Sequence, residues 1–244
     1  MDSEEDYPDY LYVPGRGCMR YYAQNDPQWK QMRFRYPHQQ NSPTFSGTGC
    51  VPTALANCIA NLLIEDKLAV LGEYSKGSGF YICPCSMNQM ECNRKHERYQ
   101  LQTELDFDRF LCLAIGSYMS GNNPAQQYAC GTMFLLDDLM KIYGLRYQKV
   151  DNLHQAAERV RADQAMAVCL VGGEDCPFTQ SGHALVFCHA DDQEYYFLDS
   201  YYRLNYEWDR QQIVRIVEPG VVAVSKDKIS RLGASSIYVI WPQE

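Results

Sequence analysis

The pattern of apolar and polar residues changes along the chain from a helical period to a strand period. In the first two thirds, apolar residues at helical spacing predict helices at 51–63, 103–120, 132–143 and 152–163. In the last third, short apolar runs predict strands at 166–171, 183–189, 194–199, 221–225 and 236–241. Because the helices come first and the strands last, the sequence predicts a segregated α+β fold.

The chain of 244 residues contains no internal repeat and no clear linker, so a single domain is the better interpretation. Residues 1–20 are expected to form a poorly ordered N-terminal arm, since the opening MDSEEDYPDY is acidic and offers few groups to bury. Residues 21–244 form the predicted domain. An irregular segment at about 72–102 interrupts it as an insertion.

Charge, hydropathy and cysteine content limit the partners and the cellular compartment that the sequence predicts. The net charge of −8 argues against nucleic acid or an anionic membrane as the main partner. The chain has no uninterrupted apolar stretch long enough for a transmembrane helix and no visible signal peptide, which favours a cytoplasmic protein. Its 11 cysteines cannot all pair with one another, and most lie in apolar runs, so they are interpreted as reduced core residues.

One cysteine has a different setting. Cys50 lies in SGTGCVPTALANC, where a glycine-rich turn leads into the predicted helix at 51–63. Unpaired backbone N–H groups and the helix dipole at such a position lower the pKa of a thiol and favour the nucleophilic thiolate. Taken alone, Cys50 is better explained as a buried structural thiol, since free cysteines in proteins are usually buried and inert.

A histidine and an aspartate later in the chain supply possible partners for this thiol. His183 begins one predicted strand in SGHALVF, and Asp199 ends the next in YYFLD. If the two strands form a hairpin, these side chains are cross-strand neighbours. A carboxylate beside the imidazole fixes its tautomer and stabilises its charged form. Considered one at a time, His183 and Asp199 have an alternative interpretation as ordinary structural residues at strand ends.

Taken together, these segments resemble the papain-like cysteine peptidases, specifically the bacterial branch related to bacteriocin-leader (double-glycine) peptidases. GTGCVPTALANCIANLL resembles their nucleophile helix, YYAQNDPQW their opening segment, and SGHALVFCHADDQEYYFLDSYY their histidine and aspartate hairpin. The resemblance implies a papain-like fold, with a helical half packed on an antiparallel sheet. It also implies that Gln24 donates to the oxyanion. Val51 departs from the glycine that is frequent in the family, and the 72–102 insertion is unmatched.

The expected activity is hydrolysis of a peptide or amide bond in a peptide or protein substrate, through a thioester on Cys50. The resemblance implies that no cofactor is required. Two alternatives stay open from the sequence: an acyltransferase or transpeptidase with the same triad, and a catalytically silent binding module.

The insertion itself contains a possible metal site. Cys83, Cys85, Cys92 and His96 supply three thiols and an imidazole, a ligand set suited to structural zinc. The Cys-x-Cys spacing is tighter than usual for zinc, so incidental cysteines in a loop remain the alternative.

Overall fold

The computed structural model describes residues 7–34, 44–63, 80–82, 111–121, 133, 135–162, 164–203, 213–229 and 236–243. The helices in these ranges are α1 Phe45–Thr48, α2 Cys50–Leu62, α3 Leu111–Gly121, α4 Leu136–Tyr143 and α5 Leu153–Ala162. The strands are β1 Tyr10–Val13, β2 Gly17–Arg20, β3 Met32–Phe34, β4 Phe80–Ile82, β5 Leu145–Val150, β6 Met166–Val171, β7 His183–Ala190, β8 Glu194–Asp199, β9 Val214–Glu218, β10 Val221–Ser225 and β11 Ser236–Pro242.

A seven-stranded sheet in the order β5-β11-β6-β7-β8-β10-β9 organises the molecule. Every neighbouring pair in it is antiparallel. Two smaller antiparallel sheets, β1-β2 and β3-β4, complete the described strands. Helices and a large antiparallel sheet therefore coexist in the chain, which confirms the predicted α+β class.

Apolar side chains cover both faces of the large sheet. On one face Leu55 and Ile59 of α2 belong to the same buried cluster as Val186 and Leu198 of the sheet. On the other face Ala156 and Val160 of α5 join the cluster of Phe187 and Phe197. Central strands packed on both sides need apolar residues at successive positions, which explains the runs MAVCLV and HALVFC.

Helix α2 is the most deeply enclosed helix that the structure describes. The ten residues at 50–59 are all buried, because α2 packs against β6, β7 and α3. Pro52 lies in the first turn of α2, where a backbone N–H has no partner within the helix. Position 49, between α1 and α2, requires glycine, because a Cβ there would clash with the carbonyl oxygen of Phe45 at 2.5 Å.

The N-terminal segment corrects one expectation. Residues 10–20, placed in a poorly ordered arm by composition, form the β1–β2 hairpin. Leu11, Val13 and Met19 of this hairpin are buried in the core that also contains α2. The alternation of buried and exposed side chains in this short segment is sufficient for a hairpin that packs on the core. Residues 1–6 and most of the 72–102 insertion lie outside the described residues.

The sequence pattern missed the edge strands of the large sheet. β5 and β9 are its two outermost strands, and their side chains are mostly exposed or half-buried. An edge strand is covered less completely than a central one, so LRYQKV and VRIVE lack the apolar run that marked the inner strands. Among the described residues, no helix is long and apolar enough to cross a membrane.

Candidate active site

Cys50 is the first residue of α2 and is 6% exposed. Thr53 closes the first turn of α2, because its backbone N–H and hydroxyl both donate to the carbonyl oxygen of Gly49, at 3.0 Å and 2.7 Å. The helix begins without an acidic residue in its first turn. The positive end of the helix dipole therefore faces the thiol without a neighbouring carboxylate on α2 to offset it.

His183 and Asp199 form a buried pair at one end of the β7–β8 hairpin. Nε2 of His183 lies 2.6 Å from Oδ1 of Asp199, and both residues are less than a tenth exposed. The strand register pairs Asp199 with Leu185 rather than with His183. The contact is therefore diagonal across the hairpin, one side-chain position away from the directly opposed pair that the sequence suggested.

The pKa of His183 depends on its burial and on its contacts with Asp199 and Cys50. Burial is the largest influence and lowers the pKa, but the charge and hydrogen bond of Asp199 raise it. A hydrogen bond with Cys50 raises it further, and together these interactions bring the pKa of His183 to about 9. Since Asp199 occupies Nε2, the second ring nitrogen, Nδ1, is left for the thiol of Cys50.

The carboxylate of Asp199 is fully buried and has three donors. Besides His183, the backbone N–H of Tyr201 donates to Oδ1 at 2.8 Å, and Nε of Arg203 donates to Oδ2 at 2.9 Å. The Tyr21 hydroxyl donates to the backbone carbonyl of Asp199 at 2.7 Å. These hydrogen bonds compensate the buried carboxylate of Asp199 for the loss of water.

Gln24 lies between the element that precedes Cys50 and the end of β8. Its Nε2 donates to the carbonyl oxygen of Ser46 at 2.7 Å. The Ser200 hydroxyl lies 3.2 Å from its Oε1 and 2.8 Å from the carbonyl oxygen of Ala184, and its single hydrogen serves one of these two acceptors at a time. The backbone N–H of Gln24 also donates to the carbonyl oxygen of Ser200 at 2.7 Å. The backbone contact fixes the chain at Gln24, and the two side-chain contacts fix the direction of its amide. Nε2 keeps a second hydrogen for another acceptor.

Asparagines on α2 hold the segment that carries Gln24, and sequence reasoning missed them. The amide of Asn57 accepts from the N–H and donates to the carbonyl of Tyr22, at 2.7 Å and 3.0 Å. Asn61, one turn later, makes the same pair of contacts with Arg20, both at 2.8 Å. Two asparagines four residues apart inside an apolar helix were the available signal, since a buried amide needs partners.

Arg203 and Ser200 were missed for a different reason. Both follow Asp199 in DSYYR, a stretch whose polar residues are typical of any strand end. Their contacts with Asp199 and Gln24 depend on how the chain turns after β8, and the spacing of residues in the sequence does not reveal that turn.

The candidate zinc ligands Cys83, Cys85, Cys92 and His96 lie outside the described residues. Within the described ranges, no group of three or more His, Cys, Asp or Glu side chains is arranged to hold a metal ion. The zinc hypothesis stays a prediction of the sequence.

Comparison with known proteins gives no relative from which a function can be carried over. No family model, no curated protein and no solved structure matches the chain. The chemistry of the site must therefore be inferred from its own side chains. A thiol at a helix start, an imidazole and a buried carboxylate form a connected series suited to nucleophilic catalysis.

Proposed function

We propose that this protein is a cysteine peptidase with a papain-like arrangement, which hydrolyses a peptide or amide bond through a thioester on Cys50. The observation that carries the proposal is the series from Cys50 through His183 to Asp199. The imidazole of His183 is hydrogen-bonded to Asp199 through Nε2 and also forms a hydrogen bond with the Cys50 thiol. A buried structural cysteine needs no such partners.

The first half of the reaction forms the thioester. Because Nε2–H of His183 donates to Asp199, Nδ1 accepts the proton of the Cys50 thiol. The thiolate then attacks the carbonyl carbon, and the resulting oxyanion accepts hydrogen bonds from the backbone N–H of Cys50 and from Nε2 of Gln24. The imidazolium gives its proton to the leaving amine as the C–N bond breaks.

The second half regenerates the enzyme. Neutral His183 takes a proton from water, and the hydroxide attacks the thioester carbonyl. The C–S bond breaks, the carboxylic acid leaves, and Cys50 recovers its proton from His183. Asp199 stays ionised throughout and stabilises the imidazolium whenever it forms.

The direct test is to trap and weigh the acyl group on Cys50. Incubation with a peptide library in ¹⁸O-water should give products with one ¹⁸O in each new carboxylate and, after rapid acid quenching, an acyl adduct on the peptide that contains Cys50. The Cys50→Ala variant should lose at least about 10³-fold in cleavage rate. Cys18→Ser is the matched control, because Cys18 is an exposed thiol on β2 outside the site.

Two outcomes would contradict the proposal. One is a folded Cys50→Ala variant that cleaves as fast as the unsubstituted chain. The other is a Cys50 that iodoacetamide alkylates no faster than a cysteine in an unfolded peptide, with no acyl adduct found. Added amines that capture the acyl group in preference to water would instead identify an acyltransferase with the same thioester.

A further inference from the structure

The guanidinium of Arg203 contacts both members of the histidine–aspartate pair. Its Nε donates to Oδ2 of Asp199 at 2.9 Å, while its NH2 group lies 3.4 Å from Nε2 of His183. The other carboxylate oxygen, Oδ1, is already bonded to His183 and to the backbone N–H of Tyr201. Arg203 therefore holds the one oxygen of Asp199 that these two donors leave.

Arg203 is itself held in place. Its guanidinium lies 5.1 Å from the centre of the Tyr201 ring, and its side chain is only 22% exposed. A planar guanidinium stacked on an aromatic ring is pre-organised for a carboxylate, so little side-chain entropy is lost when the contact forms. Lysine has a single rotatable ammonium and cannot reproduce this contact.

The same guanidinium opposes a positive charge on the imidazole. Since Nε2–H of His183 points at Asp199, the Arg203 NH2 group meets an N–H and not a lone pair. Two cations then face one carboxylate, and protonation of His183 becomes less favourable than it is beside Asp199 alone. The other titratable groups facing the pair are the thiol of Cys50 from α2 and the hydroxyl of Tyr21, which bonds the Asp199 carbonyl.

We propose that Arg203 is a positioning residue of this site, which fixes the carboxylate of Asp199 and limits the positive charge that His183 retains. The inference rests on the proposed function, because hydrolysis of the thioester needs His183 as a neutral base. Asp199 and Cys50 raise the pKa of His183, which favours the imidazolium. A fixed cation beside the ring opposes this effect.

Titration of His183 by NMR measures this effect without any assay of activity. We would use Cys50→Ala chains, because removal of the thiol partner lowers the pKa of His183 into an accessible range. The chain has 5 histidines, and the signal that a further His183→Gln change removes identifies the ring. In this background Arg203→Gln should raise the pKa of His183 by about one unit, whereas Arg203→Lys, which keeps the charge, should raise it by less than half as much.

Arg215→Gln is the matched control. Arg215 also forms an ion pair with a carboxylate of the hairpin, that of Glu194, but Glu194 lies at the opposite end of β8 from Asp199. Loss of its charge should leave the titration of His183 unchanged. With active chains, the acid limb of kcat/KM, which reports protonation of the neutral base His183, should move to higher pH in Arg203→Gln by the same amount as the NMR midpoint and should not move in Arg215→Gln.

An unshifted or lowered pKa of His183 in folded Arg203→Gln overturns the inference, whatever the activity. A raised pKa in a chain that cleaves no peptide contradicts the proposed function and leaves the electrostatic role of Arg203 standing. If Arg203→Gln does not fold, the unsubstituted chain still decides. Its Arg203 Nε–H signal should be protected from exchange and should shift with the midpoint of His183, and a rapidly exchanging signal that ignores this titration overturns the inference.

Discussion

The two ends of the β7–β8 hairpin carry the same residue types in opposite electrostatic settings. At the open end, His183 is bonded to the buried Asp199 at 2.6 Å. At the turn, His189 lies against the ring of Tyr196, with centroids 5.7 Å apart, and Asp191 is the nearest acid in sequence. The pKa of His183 is raised to about 9, whereas the pKa of His189 is lowered.

The direction of each carboxylate explains the difference. Asp191 uses Oδ1 to accept from the backbone N–H groups of Gln193 and Glu194, both at 2.7 Å, and Oδ2 to accept from the Tyr196 hydroxyl at 2.8 Å. Its carboxylate therefore closes the turn and leaves His189 unbonded to it. Burial is the main cause of the lowered pKa of His189. The charge of Asp191 raises this pKa, but the nearby cations Arg16, Arg161 and Lys226 lower it.

The two ends show that a histidine and an aspartate on one hairpin form a hydrogen-bonded pair only where the ring and the carboxylate face each other. A change of register between Phe187 and His189 also separates the two ends. The ring of His189 lies close to Gly15 of the β1–β2 turn, since a Cβ added to Gly15 would lie 2.2 Å from Nε2 of His189. His189 is thus a packing residue, and His183 is the histidine with chemical partners.

The largest expected contrast is between the two histidines. His183→Gln should reduce kcat/KM by about 10³-fold or more, because the thiol loses its proton acceptor. His189→Gln should change kcat/KM by less than about twofold, since its ring contacts neither Cys50 nor Asp199 in this fold. Steady-state kinetics on both folded variants gives the comparison, and equal losses would remove the distinction between the two ends.

Stability should respond to pH in opposite directions at the two ends. The pKa of His183 in the folded chain, about 9, exceeds its unfolded value of about 6.5, so its contribution is fully present below pH 6.5 and lost as pH rises through 9. Over that interval the unsubstituted chain should lose on the order of 3 kcal/mol more unfolding free energy than His183→Gln. For His189, whose pKa is lowered, the contribution is present above pH 6.5 and lost on acidification.

Urea unfolding at pH 6.5 and pH 9.5 measures the first effect, and unfolding at pH 6.5 and pH 5 measures the second. If His183→Gln loses as much stability as the unsubstituted chain on the alkaline side, the ion pair with Asp199 does not contribute in the way the geometry implies.

The smallest expected contrast is between the hydroxyls at the two ends. Ser200→Ala removes the hydroxyl that lies between Oε1 of Gln24 and the carbonyl oxygen of Ala184, and it should lower kcat/KM by roughly three- to tenfold, with KM little changed, because the amide is less firmly oriented. Tyr196→Phe removes the hydroxyl that bonds Asp191 and should leave kcat/KM unchanged while costing about 1 kcal/mol of stability. A Ser200→Ala variant with full activity would argue against Gln24 as an oxyanion donor.

Much of the fold was accessible from the sequence, because the buried elements carry strong local patterns. The predicted strands at 166–171, 194–199 and 221–225 have the observed bounds, and Gly144 ends α4 with a positive φ of 63°. The edge strands and the β1–β2 hairpin were missed, since partial burial leaves a weak pattern. Residues 103–110 of the helix predicted at 103–120 lie outside the described residues.

The sequence by itself determined which side chains are able to do chemistry. Cys50 at a helix start, His183 at a strand start and Asp199 at a strand end are local features, because helix and strand periods depend on neighbouring residues. The proximity of His183 to Asp199 followed from the short hairpin between them. None of this required knowledge of the whole fold.

Only the tertiary structure decided how those groups are tuned. The turn of the chain after β8 brings Arg203 back to Asp199 and His183. The same turn places Ser200 against Gln24, which lies in a segment 176 positions earlier. The asparagines of α2 hold that segment in the same way. Hydrogen bonds and charge interactions act over a few ångströms in space, so residues distant in sequence set the direction of an amide and the pKa of an imidazole.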